Sequence, residues 1–318
     1  MKVIKCLAEL PKTKKVVLTI GNFDGLHRGH LKIIRNVVRD ARAIGGISVV
    51  LTFSRHPRKI LNRHENFGLL YFLDQKLGAL DQADVDACWL VDFNDVRNLT
   101  KENFLENFIV PQRIAKVVIG YDFHFGKQRS GTVESIRSYC REHRIRCSRV
   151  SAVKYKNEAI SSNRIRKFIE NGNFKDAKAC LGKGYSTFGK VVHGTSVGKT
   201  IGVPTANIEV ETETLPPDGV YRVFVRRIKK RTTHKYSKVE SMASAKVYEG
   251  LAYKGKQPRF LKKSPGKNIV EVNIFDFEGS LYGAYLEIVF LEFVRKPKVV
   301  KSLEGLKKLI EKDIVKFT

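Results

Sequence analysis

The feature that most limits how this chain can fold is a strand, a glycine-rich turn, a helix and a second strand in direct succession. Residues 16–20 form a short β-branched apolar run, and residues 47–53 form another. Between them, apolar residues recur with helical spacing at Leu31, Ile34, Val37, Val38 and Ala41. Because two strands joined by a helix build a parallel sheet, the spacing predicts an α/β fold for the first part of the chain.

The same alternation continues to residue 150. It predicts helices near 74–83, 101–108 and 132–142, and strands near 88–91, 115–119 and 145–150. An open, Rossmann-like sheet accommodates this order of elements.

After about Gly182, long strand patterns replace most helices. They lie at 188–193, 220–228, 242–253, 269–277 and 281–294, and a helix follows from Ser302. Glu278–Ser280 has the composition of a turn, which predicts a hairpin between the last two strands. Long antiparallel strands predict a barrel or a sandwich with a C-terminal helix. We therefore expect two domains, 1–182 and 183–318, joined near residues 171–184.

Composition excludes several classes of protein. Apolar residues make up 42 % of the chain and aromatic residues 10 %, which argues against extensive disorder. No stretch reaches the roughly 18 apolar residues of a membrane span, and no secretory signal is expected. The five cysteines are odd in number and form no C-x-x-C pair, so neither a disulfide framework nor a zinc site is expected. These features predict a cytoplasmic protein, while its oligomeric state stays open.

The net charge of +27 raises the question of a nucleic-acid partner. However, the charge is spread over both halves, with +15 in residues 1–182 (33 basic, 18 acidic) and +12 in 183–318 (26 basic, 14 acidic). The one low-complexity run, Arg226–Lys238, is most simply a solvated hairpin tip. Small anionic substrates therefore fit better than a polynucleotide.

The turn after the first strand has the sequence G-N-F-D-G-L-H-R-G-H, residues 21–30. An open α/β sheet binds its ligand at such a junction. Glycines let the backbone approach a phosphate, the following helix N-terminus offers free N–H groups, and His27 and His30 can donate hydrogen bonds to phosphate oxygens. The competing interpretation is a tight turn with two exposed histidines.

This turn resembles the first signature of the nucleotidyltransferases, and Ile160–Arg166, I-S-S-N-R-I-R, resembles their second. The segment Val118–Gly131 is similar to the flavin nucleotide arm of bifunctional riboflavin kinase/FAD synthetases, except that Asp122 stands where Asn is usual. In the second half, Gly189–Asn207, ending in P-T-A-N, resembles the riboflavin kinase motif, and Glu271–Gly283 resembles the strand that holds the catalytic glutamate of that family.

The resemblance implies two ATP-dependent reactions, from riboflavin to FMN and from FMN to FAD. It implies catalytic roles for His27, His30, Arg166 and Glu271. The implied ATP-binding residues are Gly21, Phe23, Asp24, Gly25, Gly29, Ser161, Ser162, Gly194, Gly198 and Lys199. Flavin would contact Asp122, Phe123 and Phe125, and Thr205 and Asn207 would bind Mg²⁺.

Some residues depart from the expected patterns. Gly194–Thr200 looks like a Walker A loop, but its glycine spacing is one residue short, and Gly202 and Pro204 follow where a P-loop needs a helix. In the kinase half, Tyr253 and Arg259 replace smaller or different family residues. Two alternatives therefore stay open: an FMN adenylyltransferase with an inactive barrel and, less favoured, a nucleic-acid-binding protein.

If the basic charge serves small anions, neutralising Lys229, Lys230 and Arg231 together should leave both implied reactions within a few-fold. Charges at a hairpin tip are screened beyond about 8 Å at physiological ionic strength. Tight polynucleotide binding at that salt, lost in the triple variant, would contradict this expectation.

Overall fold

The computed structural model describes residues 1–61, 67–109, 113–194, 197–210, 214–233, 236–241, 246–255, 269–300 and 302–317. Its contacts divide the chain into two compact units. The first unit holds Met1–Phe67 and Leu73–Ser162, and the second holds Gly68–Phe72 and Asn163–Thr318. The domain boundary that the sequence analysis sets after residue 182 stays a prediction.

The first unit is built on a six-stranded sheet in which every paired strand is parallel to its neighbour. The strands are β1 Lys2–Ile4, β2 Val16–Ile20, β3 Ile47–Phe53, β4 Ala87–Val91, β5 Ile114–Gly120 and β6 Arg146–Val150, in the spatial order β1-β4-β3-β2-β5-β6. A two-stranded ribbon follows, β7 Lys154–Tyr155 with β8 Glu158–Ala159. The helices are α1 Arg28–Ala43, α2 Pro57–Leu61, α3 Leu73–Gln82, α4 Phe93–Val96, α5 Lys101–Phe108, α6 Val133–Glu142 and α7 Ser162–Glu170, which runs on into the second unit.

Burial on both faces explains why the central strands are almost wholly apolar. All residues of β2 and β3 are buried. Val17 packs with Val37 and Ala41 of α1, while Leu18 belongs to the larger cluster on the opposite face. This is the burial pattern of a parallel sheet covered by helices, and it confirms the predicted α/β fold.

The strand order fixes where a ligand can bind. The chain runs from β2 outward to β3 and β4, and later returns to the other side of β2 with β5. Loops after β2 and β5 therefore leave the same edge of the sheet in opposite directions, which opens a crevice between them. The turn singled out in the sequence, residues 21–27, occupies this position.

The second unit is a closed antiparallel barrel, which is one of the two architectures that the sequence predicts. Its strands are β9 Ser186–Val192, β10 Ala206–Val210, β11 Gly219–Thr233, β13 Val247–Lys254, β14 Ile269–Ile274 and β15 Tyr285–Arg295, closed by pairing of β11 with β15. Strand β12 Tyr236–Ser241 extends β11 as a hairpin. The helices are α8 Phe174–Leu181, α9 Val197–Thr200 and the C-terminal α10 Leu303–Ile314.

The predicted hairpin around Glu278–Ser280 is wrong. Strand β14 pairs with β13 and β10, and β15 pairs with β9 and β11. Because both edges of β14 are occupied, β15 must pair elsewhere, and this crossing closes the barrel. The connecting loop is not a tight turn, since ten residues, 275–284, separate β14 from β15.

Helix α8 occupies the segment that the sequence analysis treats as a join. Part of the predicted strand 242–253 lies outside the described residues, which resume at 246. No helix among the described residues is long and apolar enough to cross a membrane.

Gly189 lies where two strands of the barrel, β9 and β10, approach each other closely. A Cβ at this position would overlap the Glu209 carbonyl oxygen on the neighbouring strand. Since a closed barrel resists shifts of either strand, we expect Gly189→Ala to lower the free energy of unfolding by about 1–3 kcal/mol. The adjacent exposed control, Lys190→Ala, should stay within about 0.5 kcal/mol. Calorimetric unfolding measures both, and a wild-type transition for Gly189→Ala would contradict the tight packing.

Candidate active sites

The turn between β2 and α1 has an unusual backbone. Gly25 has φ of +78°, and two non-glycine residues, Phe23 and Leu26, also have positive φ, of +49° and +37°. Such conformations cost of order 1–3 kcal/mol each and persist only where their surroundings hold them. The Ser162 hydroxyl donates a hydrogen bond of 2.9 Å to the Asp24 carbonyl oxygen. The second signature, which contains Ser162, is therefore hydrogen-bonded to the backbone of the first signature.

His27 caps the N-terminus of α1. Its Nδ1 accepts a hydrogen bond of 3.3 Å from the His30 backbone N–H, and the two imidazole rings stack with centroids 3.6 Å apart. An accepting Nδ1 leaves the proton of the neutral ring on Nε2. Burial lowers the pKa of His27 to about 4. The ring is therefore neutral at physiological pH.

His30 lies one helical turn on and has an equally constrained ring. Burial, followed by the charges of His27 and Lys76, lowers the pKa of His30 well below its ordinary value. The Phe23 ring packs edge-on against it at 5.3 Å. Its Nδ1 is buried without a hydrogen-bond partner among the described residues. These imidazoles are not the exposed histidines of the competing interpretation.

A cleft of about 160 Å³ opens at this turn, at the edge where β2 and β5 diverge. Its wall includes His27, Gly29, His30, Asp122, Ser161 and Ser162. A Cβ on Gly29 would lie 3.1 Å from the His27 ring, so a side chain there would press on the cap. The structure thus brings the two signatures and the flavin arm to one cavity.

The predicted flavin-contacting residues have different surroundings. Asp122 is exposed and lines the cleft, and Phe123 is half-buried. Phe125 is buried in the core, with its ring 5.1 Å from Phe104. A Cβ on Gly131 would lie 2.5 Å from the Phe125 ring. In this structure, Phe125 packs the arm against the core.

Arg166 lies on the part of α7 that belongs to the second unit. It is buried, its Nε donates to the Gly68 carbonyl oxygen at 2.6 Å, and one terminal nitrogen donates to Asn163 Oδ1 at 2.8 Å. These bonds orient the guanidinium group.

The barrel carries a second cluster. Register places Asn207, Glu271 and Tyr253 side by side on β10, β14 and β13. Directly opposed residues share one face of a sheet. The neighbouring residues of β14 on the other face, Val270 and Val272, are fully buried in the barrel. The polar row therefore lies on the outer face.

The glycine-rich segment after β9 lies against this row. A Cβ on Gly194 would overlap the Asn207 amide, and one on Gly198 would lie 2.9 Å from Thr205 Oγ1. Only glycine permits these approaches. Helix α9, which includes Lys199, has four residues and ends before Gly202, at φ of +78°. This segment is not a P-loop.

Asn207 has an orphaned acceptor. Its side chain is buried, and Oδ1 has no hydrogen-bond partner among the described residues. A buried amide oxygen without a donor is a candidate ligand for a hard cation. Among the described residues, no group of three or more His, Cys, Asp or Glu could hold a metal by itself.

Of the two residues in the kinase half that depart from the family pattern, the structure describes one. Burial, together with the negative charges of Glu271 and Asp218, raises the pKa of Tyr253, so its hydroxyl stays protonated. Tyr253 is half-buried. Arg259 lies outside the described residues.

Lys76 on α3 is a buried basic residue that was not predicted from the sequence. Only 6 % of it is exposed. Its position in the sequence, next to Leu77 and four residues before Leu80, places it on the apolar face of the helix, which is the signal that could have identified it.

Comparisons with known proteins match both units. An FAD synthetase family model matches residues 9–164, and a riboflavin kinase model matches residues 181–318. A bifunctional riboflavin kinase/FMN adenylyltransferase of Bacillus subtilis is 32 % identical over 94 % of this chain and 90 % of its own. The Haemophilus influenzae protein of the same name is 31 % identical over 93 % and 91 %.

A solved structure has the same fold over nearly the whole chain. It is titled a macrolide-efflux protein from Streptococcus pneumoniae, is 29 % identical, and covers 98 % of this chain and 97 % of its own with a TM-score of 0.81. The two family models do not favour an adenylyltransferase with an idle barrel or a nucleic-acid-binding protein. On these matches and on the sites described, the chain belongs to the bifunctional riboflavin kinase/FMN adenylyltransferase family.

Proposed function

We propose that this enzyme phosphorylates riboflavin to FMN at the barrel and adenylylates FMN to FAD at the cleft of the α/β unit, with ATP as the donor in both reactions. The observation that carries the proposal is the meeting of both nucleotidyltransferase signatures and the flavin arm in one cleft. We assign the adenylyl transfer to residues 1–182 and the kinase to 183–318. The five free cysteines agree with the cytoplasmic location that the sequence predicts.

In adenylyl transfer, an oxygen of the FMN phosphate attacks the α-phosphorus of ATP, and pyrophosphate leaves. The attacking oxygen is already an anion, so no base is needed. The enzyme orients the two anions and neutralises charge that develops on phosphorus and on the leaving group. We assign this work to His27, His30, Ser162 and Arg166. Neutral imidazoles donate N–H groups, while Arg166 supplies a permanent charge.

In the kinase reaction, the ribityl hydroxyl must lose its proton as it attacks the γ-phosphorus. We assign the general base to Glu271, whose cross-strand partner is Asn207. The half-buried Tyr253 borders the same carboxylate on the other side. The glycine-rich segment, against Thr205 and Asn207, is placed to cover the ATP phosphates.

Mg²⁺ fits this row. The orphaned Asn207 Oδ1 is an oxygen donor of the kind that Mg²⁺ prefers, and Thr205 Oγ1 lies on the same extended segment. With only two protein ligands, the remaining positions would be filled by ATP phosphates and water. When bound, the ion would offset negative charge at the γ-phosphate.

The proposal is tested by incubating the purified protein with ATP, Mg²⁺ and riboflavin, and separating riboflavin, FMN and FAD over time. FMN should appear first and FAD second. A parallel reaction that starts from FMN should give FAD alone. FAD from FMN without any FMN from riboflavin would remove the kinase from the proposal, and no product in either reaction would reject both activities.

His30→Ala should lower FAD formation from FMN by about two orders of magnitude. Removing one preorganised donor to a transition-state charge costs roughly 2.7–4 kcal/mol. FMN formation from riboflavin should barely change, which also controls for the quality of the preparation. Unaltered FAD synthesis would remove His30 from the catalytic set.

Glu271→Gln should lower riboflavin phosphorylation by roughly 10² to 10⁴, because it keeps the shape of the side chain and removes the base. FAD formation from supplied FMN should persist. Glu209→Gln is the matched control, since Glu209 is exposed and lies two residues from Asn207 on β10. Equal losses on riboflavin and on FMN would mean that the two reactions are not independent.

A further inference from the structure

Lys76 is a buried ammonium group that neither proposed reaction uses. Its Nζ donates hydrogen bonds of 3.3 Å to Thr52 Oγ1 and 3.4 Å to the Phe53 carbonyl oxygen, at the end of β3. Both are long for bonds from a charged donor. Burying a charge with such weak compensation costs stability. A cost of this kind is commonly retained where it serves function.

Those bonds connect Lys76 to the turn that carries the histidines. Thr52 Oγ1 accepts a hydrogen bond from Lys76, and the same hydroxyl donates a hydrogen bond of 3.2 Å to the Asn22 carbonyl oxygen. Asn22 immediately precedes Phe23, the first residue of the turn with positive φ. The Gly21 N–H donates a hydrogen bond of 3.0 Å to the Leu51 carbonyl oxygen on the same strand. The strained turn is thus held from β3, and Lys76 fixes the orientation of the Thr52 hydroxyl.

The charge of Lys76 also acts on the site. It lowers the pKa of His30, after burial and the charge of His27. Asp24, only 2 % exposed, favours the charged form of Lys76, although burial lowers the pKa of Lys76 overall. The other polar groups of the cleft around His30 are Tyr121 and Asp122 after β5 and the serines Ser151, Ser161 and Ser162.

We propose that Lys76 is a positioning residue for adenylyl transfer, which holds the β2–α1 turn, and with it His27 and His30, through Thr52 and Asn22. The proposal rests on the function proposed for the cleft. His30 then reaches a phosphate oxygen as a neutral donor, while Lys76 is not among the residues that line the cleft.

The decisive variants are Lys76→Met, which keeps length without charge, and the pair Thr52→Val and Thr52→Ser. We expect Lys76→Met to lower kcat for FAD formation from FMN by about 10- to 100-fold, the range in which a small misplacement of catalytic groups acts. Thr52→Val, which cannot bond Asn22, should lose activity, and Thr52→Ser, which keeps the hydroxyl, should restore most of it. Riboflavin phosphorylation should stay within two-fold in all three.

A purely structural role would give a different result. Trp89, the only tryptophan, lies in β4 of the first unit, so its fluorescence follows unfolding of that unit alone. If the loss of activity in Lys76→Met only tracks the fraction of this unit that is unfolded at the assay temperature, the proposal is overturned. The proposal is also overturned if Thr52→Ser and Thr52→Val are equally impaired.

A second readout does not depend on catalysis. In protein with ¹⁵N-labelled histidine, the His30 ring should titrate at a higher pH in Lys76→Met than in wild type, and the acid limb of the pH–rate profile should move in the same direction. An unchanged His30 titration would contradict the electrostatic coupling of Lys76 to His30. If the wild type forms no FAD, the proposed function fails while the titration still tests the coupling of Lys76 and His30.

Discussion

Burial of two neutral imidazoles at the N-terminus of α1 is the interaction on which the α/β site depends. His27 uses its Nδ1 to cap the helix, so its proton lies on Nε2, and its ring is the platform against which His30 stacks. That geometry exists only because the preceding turn takes positive φ at Phe23, Gly25 and Leu26. The strand order of the sheet then places this turn beside the loop after β5, where the flavin arm begins. The sheet therefore determines where the turn lies, and the turn determines how the two histidines are placed.

In the barrel, the proposed base and the proposed cation ligand are brought together without a helix N-terminus. Register achieves this, since Glu271 has Asn207 on one side and Tyr253 on the other. Closure through β11 and β15 fixes that register, because a strand in a closed barrel cannot slip without breaking pairs on both edges. The glycines of the covering segment are required by the close approach of its backbone to Thr205 and Asn207.

Much of this was predictable from the sequence because the periodic patterns are strong. The boundaries of β2, β3 and α5 coincide with the predicted ones, and some residues of both signatures and of the flavin arm line the cleft. Strand pairing was not predictable to the same degree: the turn-like composition of Glu278–Ser280 indicates a hairpin, but pairing is decided by which strand edges are already occupied. Strand β1 was missed because three residues give no periodicity.

The surroundings of individual residues were also difficult to predict from the sequence. The family resemblance implies a flavin contact for Phe125, whereas the structure shows its ring packed in the core against Phe104, where Gly131 leaves room for it. Lys76 was missed for the converse reason. A lysine in a helix is ordinarily solvated. Its spacing with Leu80 indicates that the side chain is buried, but the structure is needed to show that its amino group reaches the end of β3.

NMR titration of the wild-type protein with ¹⁵N-labelled histidine would show directly whether the turn holds a neutral pair of histidines. We expect His27 to carry its proton on Nε2 throughout the physiological range and to titrate near pH 4, and we expect the pKa of His30 to lie well below its ordinary value. A His27 ring that titrates near 6.5, or one that carries its neutral-state proton on Nδ1, would contradict the cap, the stack and the assignment of both imidazoles as neutral donors.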